Sequence, residues 1–485
     1  MTTKLTRIAF VFLLTLSTLS LGQTLQSLKH QPPDGAGIGY LLTDGTVMFQ
    51  GGQCSDWWKL TPDNTGSYVN GTWSQLESLP NGYDPLYFAG AVLADGRVVI
   101  MGGEYSGCGQ SFSLTNQGAI YNPATNKWST MTHPKDWGNI GDSPSVVLPD
   151  GTYMLGDKLT KEAAALDPKT LEWTVVPTTG KRDFNAEEGW TLLPDGTFVT
   201  YDVRAAPHAE RYIPSQSEWI TAGSTIVDLH SPHPGGGCIP YPGGCYKAPG
   251  EVGPGMLLPD GKVFATGSYT GNNGAGHTAI YTPPSTLTGE GKWVVGPDFP
   301  NSDNAGDSFA VLLPSGVELI EADSGTLYDW NGTTLTQDPV SGGYAPILVL
   351  PNGQVFMSGF NASVYTPKGT YQASWAPKIT AHPKTVTPGS TYKISGQQFN
   401  GLSQAASFGD EDETATNYPL VRITNTATGH VFYAKTHDHS TMGVATGTAT
   451  VYTYFDVPSG IETGASTLVV VANGIPSKSV SITVQ

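Results

Sequence analysis

The sequence predicts an all-β chain: a seven-bladed β-propeller followed by an immunoglobulin-like β-sandwich. Three observations carry that expectation. A hairpin phrase returns seven times, an aromatic phrase ending in Trp follows most copies, and both stop near Trp375, where a different strand pattern begins.

The hairpin phrase is a few apolar residues, a polar pair ending in Gly, then alternating apolar residues. It occurs as LLTDGTVMF at Gly45, VLADGRVVI at Gly96, VLPDGTYML at Gly151, LLPDGTFVT at Gly196, LLPDGKVFA at Gly261, LLPSGVELI at Gly316 and LVLPNGQVF at Gly353. Asp-Gly and Asn-Gly supply the positive φ that tight hairpins require, so each copy reads as strand, two-residue turn, strand. The glycines are 51, 55, 45, 65, 55 and 37 residues apart. An all-β unit recurring at about 40–50 residues is a propeller blade.

The second phrase supplies the outer two strands of each blade. It reads Tyr121-Asn122-Pro123 with Trp128, Leu166-Asp167-Pro168 with Trp173, Tyr212 with Pro214 and Trp219, and Tyr281-Thr282-Pro283 with Trp293. Weaker forms are Leu60-Thr61-Pro62 with Trp73, Tyr328-Asp329 and Tyr365-Thr366-Pro367. These aromatics are expected to pack between blades rather than to touch a ligand. Past Trp375-Ala376-Pro377 come seven short alternating strands in the last 110 or so residues, the pattern of an immunoglobulin-like sandwich.

The domain expectation is a signal peptide over 1–22, a propeller over 23–372 and a sandwich over 373–485. The leader reading rests on Lys4 and Arg7, the apolar run 8–21 and the small residues of Ser20-Leu21-Gly22. The run is short for a membrane span, so the mature chain is expected to be secreted, without a membrane partner and monomeric. A net charge of -17 argues against nucleic acid and favours neutral or cationic small molecules, carbohydrate among them. Four cysteines in an exported chain suggest two disulfides. Cys238 and Cys245 bracket a Pro/Gly loop, and Cys54 and Cys108 follow equivalent strands of adjacent blades.

Propeller ligands bind at a mouth of the central channel, on residues delivered by the innermost strands. The residue seven places before the Pro-equivalent position of each repeat is Ala36, Tyr87, Asp142, Glu187, Val252, Asp307 and Tyr344. Their neighbours include Gly141, Ser143, Glu188, Glu251 and Ser308. The expected mouth is therefore acidic, with two tyrosines.

The order of the domains resembles the secreted galactose oxidase and glyoxal oxidase family. The more specific carriers are Pro377-Lys378-Ile379-Thr380, Lys435-Thr436-His437, Gly474-Ile475-Pro476-Ser477 and the final SITVQ. The resemblance implies a kelch-type propeller and an early-set immunoglobulin-like domain. It also implies that a sandwich loop enters the channel and brings a metal-ligand His, here His437, with His439 beside it. The family's copper takes two tyrosinates and two histidines, and one tyrosine is cross-linked to a Cys. In this chain Asp142 stands where that Tyr is expected, Tyr87 where its Cys is expected, and Gly343-Tyr344 where a Tyr-His pair is expected; only His437 matches. The resemblance thus implies the fold without a copper-radical site.

Two chemistries remain open for the acidic mouth. Asp142, Glu187, Asp307 and His437, with His439, suit a divalent metal such as Ca, Mn or Zn. Alternatively, Asp142, Glu187 and Asp307 act as acid and base or nucleophile on a glycosidic bond, with Tyr87, Glu188, Glu251 and Tyr344 binding substrate. A third possibility is that the carboxylates only hydrogen-bond and solvate the channel of an extracellular scaffold. His133, His208, His230, His233 and His277 read as loop or structural residues, and Asp410-Glu411-Asp412-Glu413 as a solvated turn. Asn70, Asn331 and Asn361 lie in glycosylation sequons.

Overall fold

The computed structural model describes residues 22–485, apart from 81, 232–237, 242–243, 248–249, 269–273 and 408–413, and gives the backbone alone at 238–241, 244–247 and 406–407. The expected leader therefore lies outside the described residues, as do the side chain of His233, the 410–413 turn and the side chains of Cys238 and Cys245. The backbones of Cys238–Tyr241 and Gly244–Lys247 pair as a hairpin, with Pro240 opposite Cys245.

Seven four-stranded antiparallel blades form the propeller. Their innermost strands are Gly39–Leu41, Ala89–Val92, Ser145–Val147, Thr191–Leu192, Val252–Leu257, Phe309–Leu312 and Ile347–Val349. All seven turn glycines have positive φ, from 75° at Gly45 to 92° at Gly151. The turn is one residue longer than the sequence suggests. Leu42 N donates to Thr46 O (2.8 Å) and Gly45 N to Leu42 O (3.0 Å), and the other six repeat this pattern. This is a type I turn followed by a left-handed Gly, which explains the Pro at its second position in five copies.

The aromatic phrase aligns across the outer strands. Tyr121 faces Trp128, Leu166 faces Trp173, Tyr212 faces Trp219, Tyr281 faces Trp293 and Leu60 faces Trp73. These rings fill the space between blades, as Trp57 does against Trp128 at 5.4 Å. The seventh blade borrows its outer strand from the start of the chain: Thr24–Ser27 pairs with Ser363–Thr366. Gln23 fastens this seam by donating to Asp338 (2.8 Å) and Asp329 (3.1 Å).

The C-terminal part is a curled nine-stranded sheet closed around Ile394, Val421, Ile423, Phe455, Leu468 and Val470. It sits on the hairpin-turn end of the propeller. Thr436 N donates to Thr43 O (3.0 Å), His439 N to Ala94 O (3.2 Å) and Met442 N to Pro149 O (3.0 Å). The short strand Ala406–Ser407 pairs with innermost residues Ala310 and Val311. Gln404, Asn417 and Met442 line a small enclosed space with Ala91, Val92 and Val146, so this mouth is plugged.

Candidate functional site

At the other mouth, where the innermost strands begin, the described residues form no plug. The chain enters most of these strands through a residue in the left-handed region: Tyr87 (φ 55°), Glu187 (60°), Asp307 (49°), Tyr344 (53°), and Gly35, Gly141 and Gly250 in the other blades. Non-glycine residues seldom adopt this conformation, and those that do concentrate at functional sites.

The left-handed entry aims Glu187 and Asp307 at the channel, and Glu251 joins them. Their carboxylate oxygens lie within 4.8 Å of one another. Asp142 is buried one blade away. Between Asp142 and Glu187 stands Lys158, whose Nζ contacts Asp142 Oδ2 and lies 2.7 Å from Glu187 Oε1. Burial pushes the Asp142 carboxyl well above its usual range, with Lys158 opposing and Glu187 and Glu104 reinforcing. Asp307 is pushed up to about 6, by burial and then by the Glu187 charge. Glu104 is also raised, chiefly by burial.

Aromatic rings stand over this floor. Tyr87 and Tyr344 are 40% and 41% exposed and Phe112 46%, so these rings present open faces. Tyr87 meets Tyr105 edge-on at 6.2 Å, and Tyr105 meets Phe112 at 5.8 Å. Tyr344 donates through its hydroxyl to Asp307 O (3.1 Å), and its backbone N–H, with that of Gly343, donates to Glu321 Oε1.

The structure therefore brings together Tyr87, Asp142, Glu187, Glu251, Asp307 and Tyr344. It does not bring Glu188, His437 or His439 to them. Glu188 points between blades, where both its carboxylate oxygens accept from the buried Lys181 (2.9 and 2.8 Å), which also meets Glu210 at 2.7 Å. The left-handed backbone of Glu187 turns its side chain to the channel, while Lys181 and Glu210 hold Glu188 on the other side. His437 ends a sandwich strand, held by Asp438 (2.8 Å) and Asp456 (3.3 Å) and stacked on Tyr454 at 6.0 Å. His439 lies buried against Tyr418, its Nδ1 2.9 Å from Thr453 Oγ1, and burial lowers its pKa to about 3. Both sit at the hairpin-turn end. From Ala94 there to Tyr87 at the open mouth is one innermost strand, about 20 Å of extended chain. The residues that enter the channel from the sandwich are instead Gln404, Asn417 and Met442. Ala36 and Val252 are buried apolar residues.

Lys158, Glu104, Tyr105 and Phe112 were not anticipated. Glu104 and Lys158 occupy one register, two residues past the first Gly in MGGE and LGDK. The second strand of a blade returns to the mouth that the first strand leaves, so this register was a readable signal. The other histidines have local partners: His208 with Asp202 (2.6 Å), His230 with Asp228 (2.5 Å) and His277 with Asp298 (2.7 Å). Asn70, Asn331 and Asn361 are exposed. Cys54 and Cys108 form a disulfide across 54 residues of sequence, joining loops of the first two blades at the open mouth.

No protein-family model matches the chain. A kelch-like protein of Aspergillus terreus, terF, is 24% identical over 120 residues, which are 22% of this chain and 26% of that protein. A fungal alcohol oxidase of the AA5 family, solved in complex with copper, superposes with a TM-score of 0.50 at 14% identity, covering 94% of this chain and 98% of that one. Virginiamycin B lyase from Staphylococcus aureus superposes over 71% of this chain and 97% of its own at 11% identity, with a TM-score of 0.46.

The copper such an oxidase holds does not fit the residues present here. Among the described residues the mouth offers carboxylates, tyrosines and the Lys158 ammonium, with no imidazole. Cys54 and Cys108 are bonded to each other and supply no thiol. Burial and the Asp307 charge hold the Tyr344 phenol in its protonated form. At these identities the likeness is one of architecture, and the chain has the galactose oxidase-like fold: a seven-bladed kelch-type propeller carrying a C-terminal β-sandwich.

Proposed function

We propose that this chain is an exported protein that binds carbohydrate at the open, acidic mouth of its propeller. The supporting observation is the pairing of half-exposed rings, Tyr87, Phe112 and Tyr344, with the carboxylate floor of Glu187, Glu251 and Asp307. Aromatic faces stack on the apolar faces of sugar rings, while carboxylates accept hydrogen bonds from hydroxyls and charge-assisted ones from ammonium groups. The floor is more negative than Lys158 balances, so an amino sugar is the best-matched ligand. The disulfide supports export, since such bonds persist in oxidising compartments.

Calorimetric titration with oligomers of glucosamine, N-acetylglucosamine and glucose tests this reading. Binding of the amino sugar should be strongest, and Tyr87→Ala with Tyr344→Ala should weaken it at least tenfold without unfolding the protein. Failure of every oligomer to bind would leave the extracellular scaffold as the better reading.

One observation favours a catalytic version. Asp307, raised to about 6, stands beside Glu187, which Lys158 contacts at 2.7 Å. A carboxyl that keeps its proton up to about pH 6, next to a carboxylate, is the pairing that glycosidic cleavage uses. Release of a chromophore from aryl glycosides, lost in Asp307→Asn, would establish it; its absence alongside tight binding would leave a binding protein.

A further inference from the structure

We propose that Lys158 and Asp142 become joined by an intramolecular amide in the mature protein, with Glu187 carrying the proton that the reaction must move. The three side chains form one buried contact: Lys158 is 3% exposed, Asp142 5% and Glu187 7%. Lys158 Nζ touches Asp142 Oδ2, with Glu187 Oε1 on the same nitrogen at 2.7 Å.

The backbone holds the lysine against the aspartate. Lys158 N donates to Ile140 O (3.2 Å), and the lysine stem runs alongside Gly141, where an added Cβ would stand 3.3 Å from Lys158 Cβ and Cδ. Gly141 has a φ of 74°, so glycine serves both the turn and the close approach. Asp142 Oδ1 is buried without a hydrogen-bond partner. The Asp142 carboxyl is thus engaged through one oxygen alone, on the same nitrogen that Glu187 contacts.

The chemistry balances within the three groups. Glu187 relays one proton from the Lys158 ammonium to the Asp142 carboxylate, leaving a neutral amine and a neutral acid. The amine adds to Asp142 Cγ, and Glu187 takes a second proton from that nitrogen and delivers it to the departing hydroxyl as the C–O bond breaks. One ammonium and one carboxylate become one amide and one water, and Glu187 ends as it began. Burial raises the Asp142 carboxyl and so favours the neutral acid that an amine can attack. Holding the reactants in contact away from solvent is worth effective concentrations of about 10⁵–10⁸ M in favourable cases.

Lys181 provides an internal contrast. It is equally buried, but Glu188 grips it through both oxygens and Glu210 adds a third acceptor. Those carboxylates raise the Lys181 pKa, so the amine stays protonated and unreactive. The proposed bond would close a ring around the inner hairpin of the third blade and tie the floor of the open mouth. It leaves Glu104, Glu187, Glu251 and Asp307 available to a ligand and does not depend on the carbohydrate reading.

Intact-mass measurement of the reduced wild-type protein, with peptide mapping, is decisive. The expected mass is one water below that of the processed sequence. Trypsin should fail to cut after Lys158, and a branched peptide should join residues 142 and 158. Lys158→Arg should restore the full mass, and Glu187→Gln should leave a large uncoupled fraction. Full mass in the wild type, with normal cleavage after Lys158, would overturn the proposal. So would a water loss that maps to any other peptide, Lys181 included.

Discussion

Replacing Glu318 by Met should stabilise the propeller, increasingly so as pH rises. Glu318 lies on the second strand of the sixth blade and is 0% exposed. Its ladder neighbours are Leu312 and Trp330, both members of an apolar cluster with Met256 and Phe264, and Phe264 stacks on Trp330 at 4.3 Å. Directly paired residues share a face of the sheet, so the carboxyl points into that cluster. Neither carboxylate oxygen has a hydrogen-bond partner. Burial alone pushes its pKa well above the ordinary value.

An unpaired buried polar group costs about 1–3 kcal/mol, and Met fills a similar volume without that cost. The pH dependence has a definite sign. The folded state keeps the proton to a higher pH than the unfolded chain, whose glutamates titrate near pH 4.3. The wild type therefore has its full contribution below about pH 4.3 and loses about 1.4 kcal/mol for each pH unit up to the folded value. Glu318→Met has no such slope. All tryptophans precede residue 376, so Trp fluorescence during guanidinium unfolding reports the propeller. The midpoint gap between variant and wild type should widen from pH 4.5 to 7.5. A constant gap, or a variant less stable throughout, would refute the reasoning.

Three shorter expectations follow. Cys54→Ser with Cys108→Ser should cost up to about 4 kcal/mol by the loop-entropy relation for a 54-residue separation, read as a lowered unfolding midpoint under oxidising conditions. Asp307→Asn should flatten the stability profile between about pH 4 and 6, because the wild-type carboxyl, raised to about 6, loses its contribution as pH rises through that window. Copper-loaded protein should make no peroxide from galactose or glyoxal; peroxide formation would show that the open mouth holds a ligand set other than the one described.

What was legible in the sequence was local. Each Asp-Gly turn carries its own conformational demand, so seven copies revealed seven inner hairpins. The Tyr–Trp pairs lie within a few residues of their own turns and fell into register for the same reason. Ring closure by Thr24–Ser27 was not legible, because TLQS has no turn phrase and its partner lies at the far end of the propeller. The carboxylate floor followed from counting back along the inner strands, but that count saw only one strand per blade and missed Lys158 and Glu104. Glu188 was misplaced because the buried Lys181 draws its carboxylate between blades, a partner that counting along the inner strands does not reveal. His437 was misplaced because a motif locates a residue in the sequence without saying which loop of the sandwich enters the channel.

The two mouths divide the work of the fold. The hairpin-turn mouth is closed by backbone hydrogen bonds to Thr43, Ala94 and Pro149 and by the plug of Gln404, Asn417 and Met442. Among the described residues, the channel is left open to a ligand at the other end. There the rings that would meet it are already fixed: Tyr87 and Tyr344 sit on left-handed backbone, and Glu321 clamps the amides of Gly343 and Tyr344. The Cys54–Cys108 bond and the Lys158 bridge tie neighbouring segments of the same rim. A site built this way loses little conformational entropy on binding, which is the condition under which a few stacked rings and shared carboxylates give useful affinity. Left-handed tyrosines, a cross-loop disulfide and a buried lysine between carboxylates each restrict the open mouth at some cost. That they gather there, while the plugged mouth is secured by ordinary backbone pairing, is the structural argument for seeking the ligand at the acidic end.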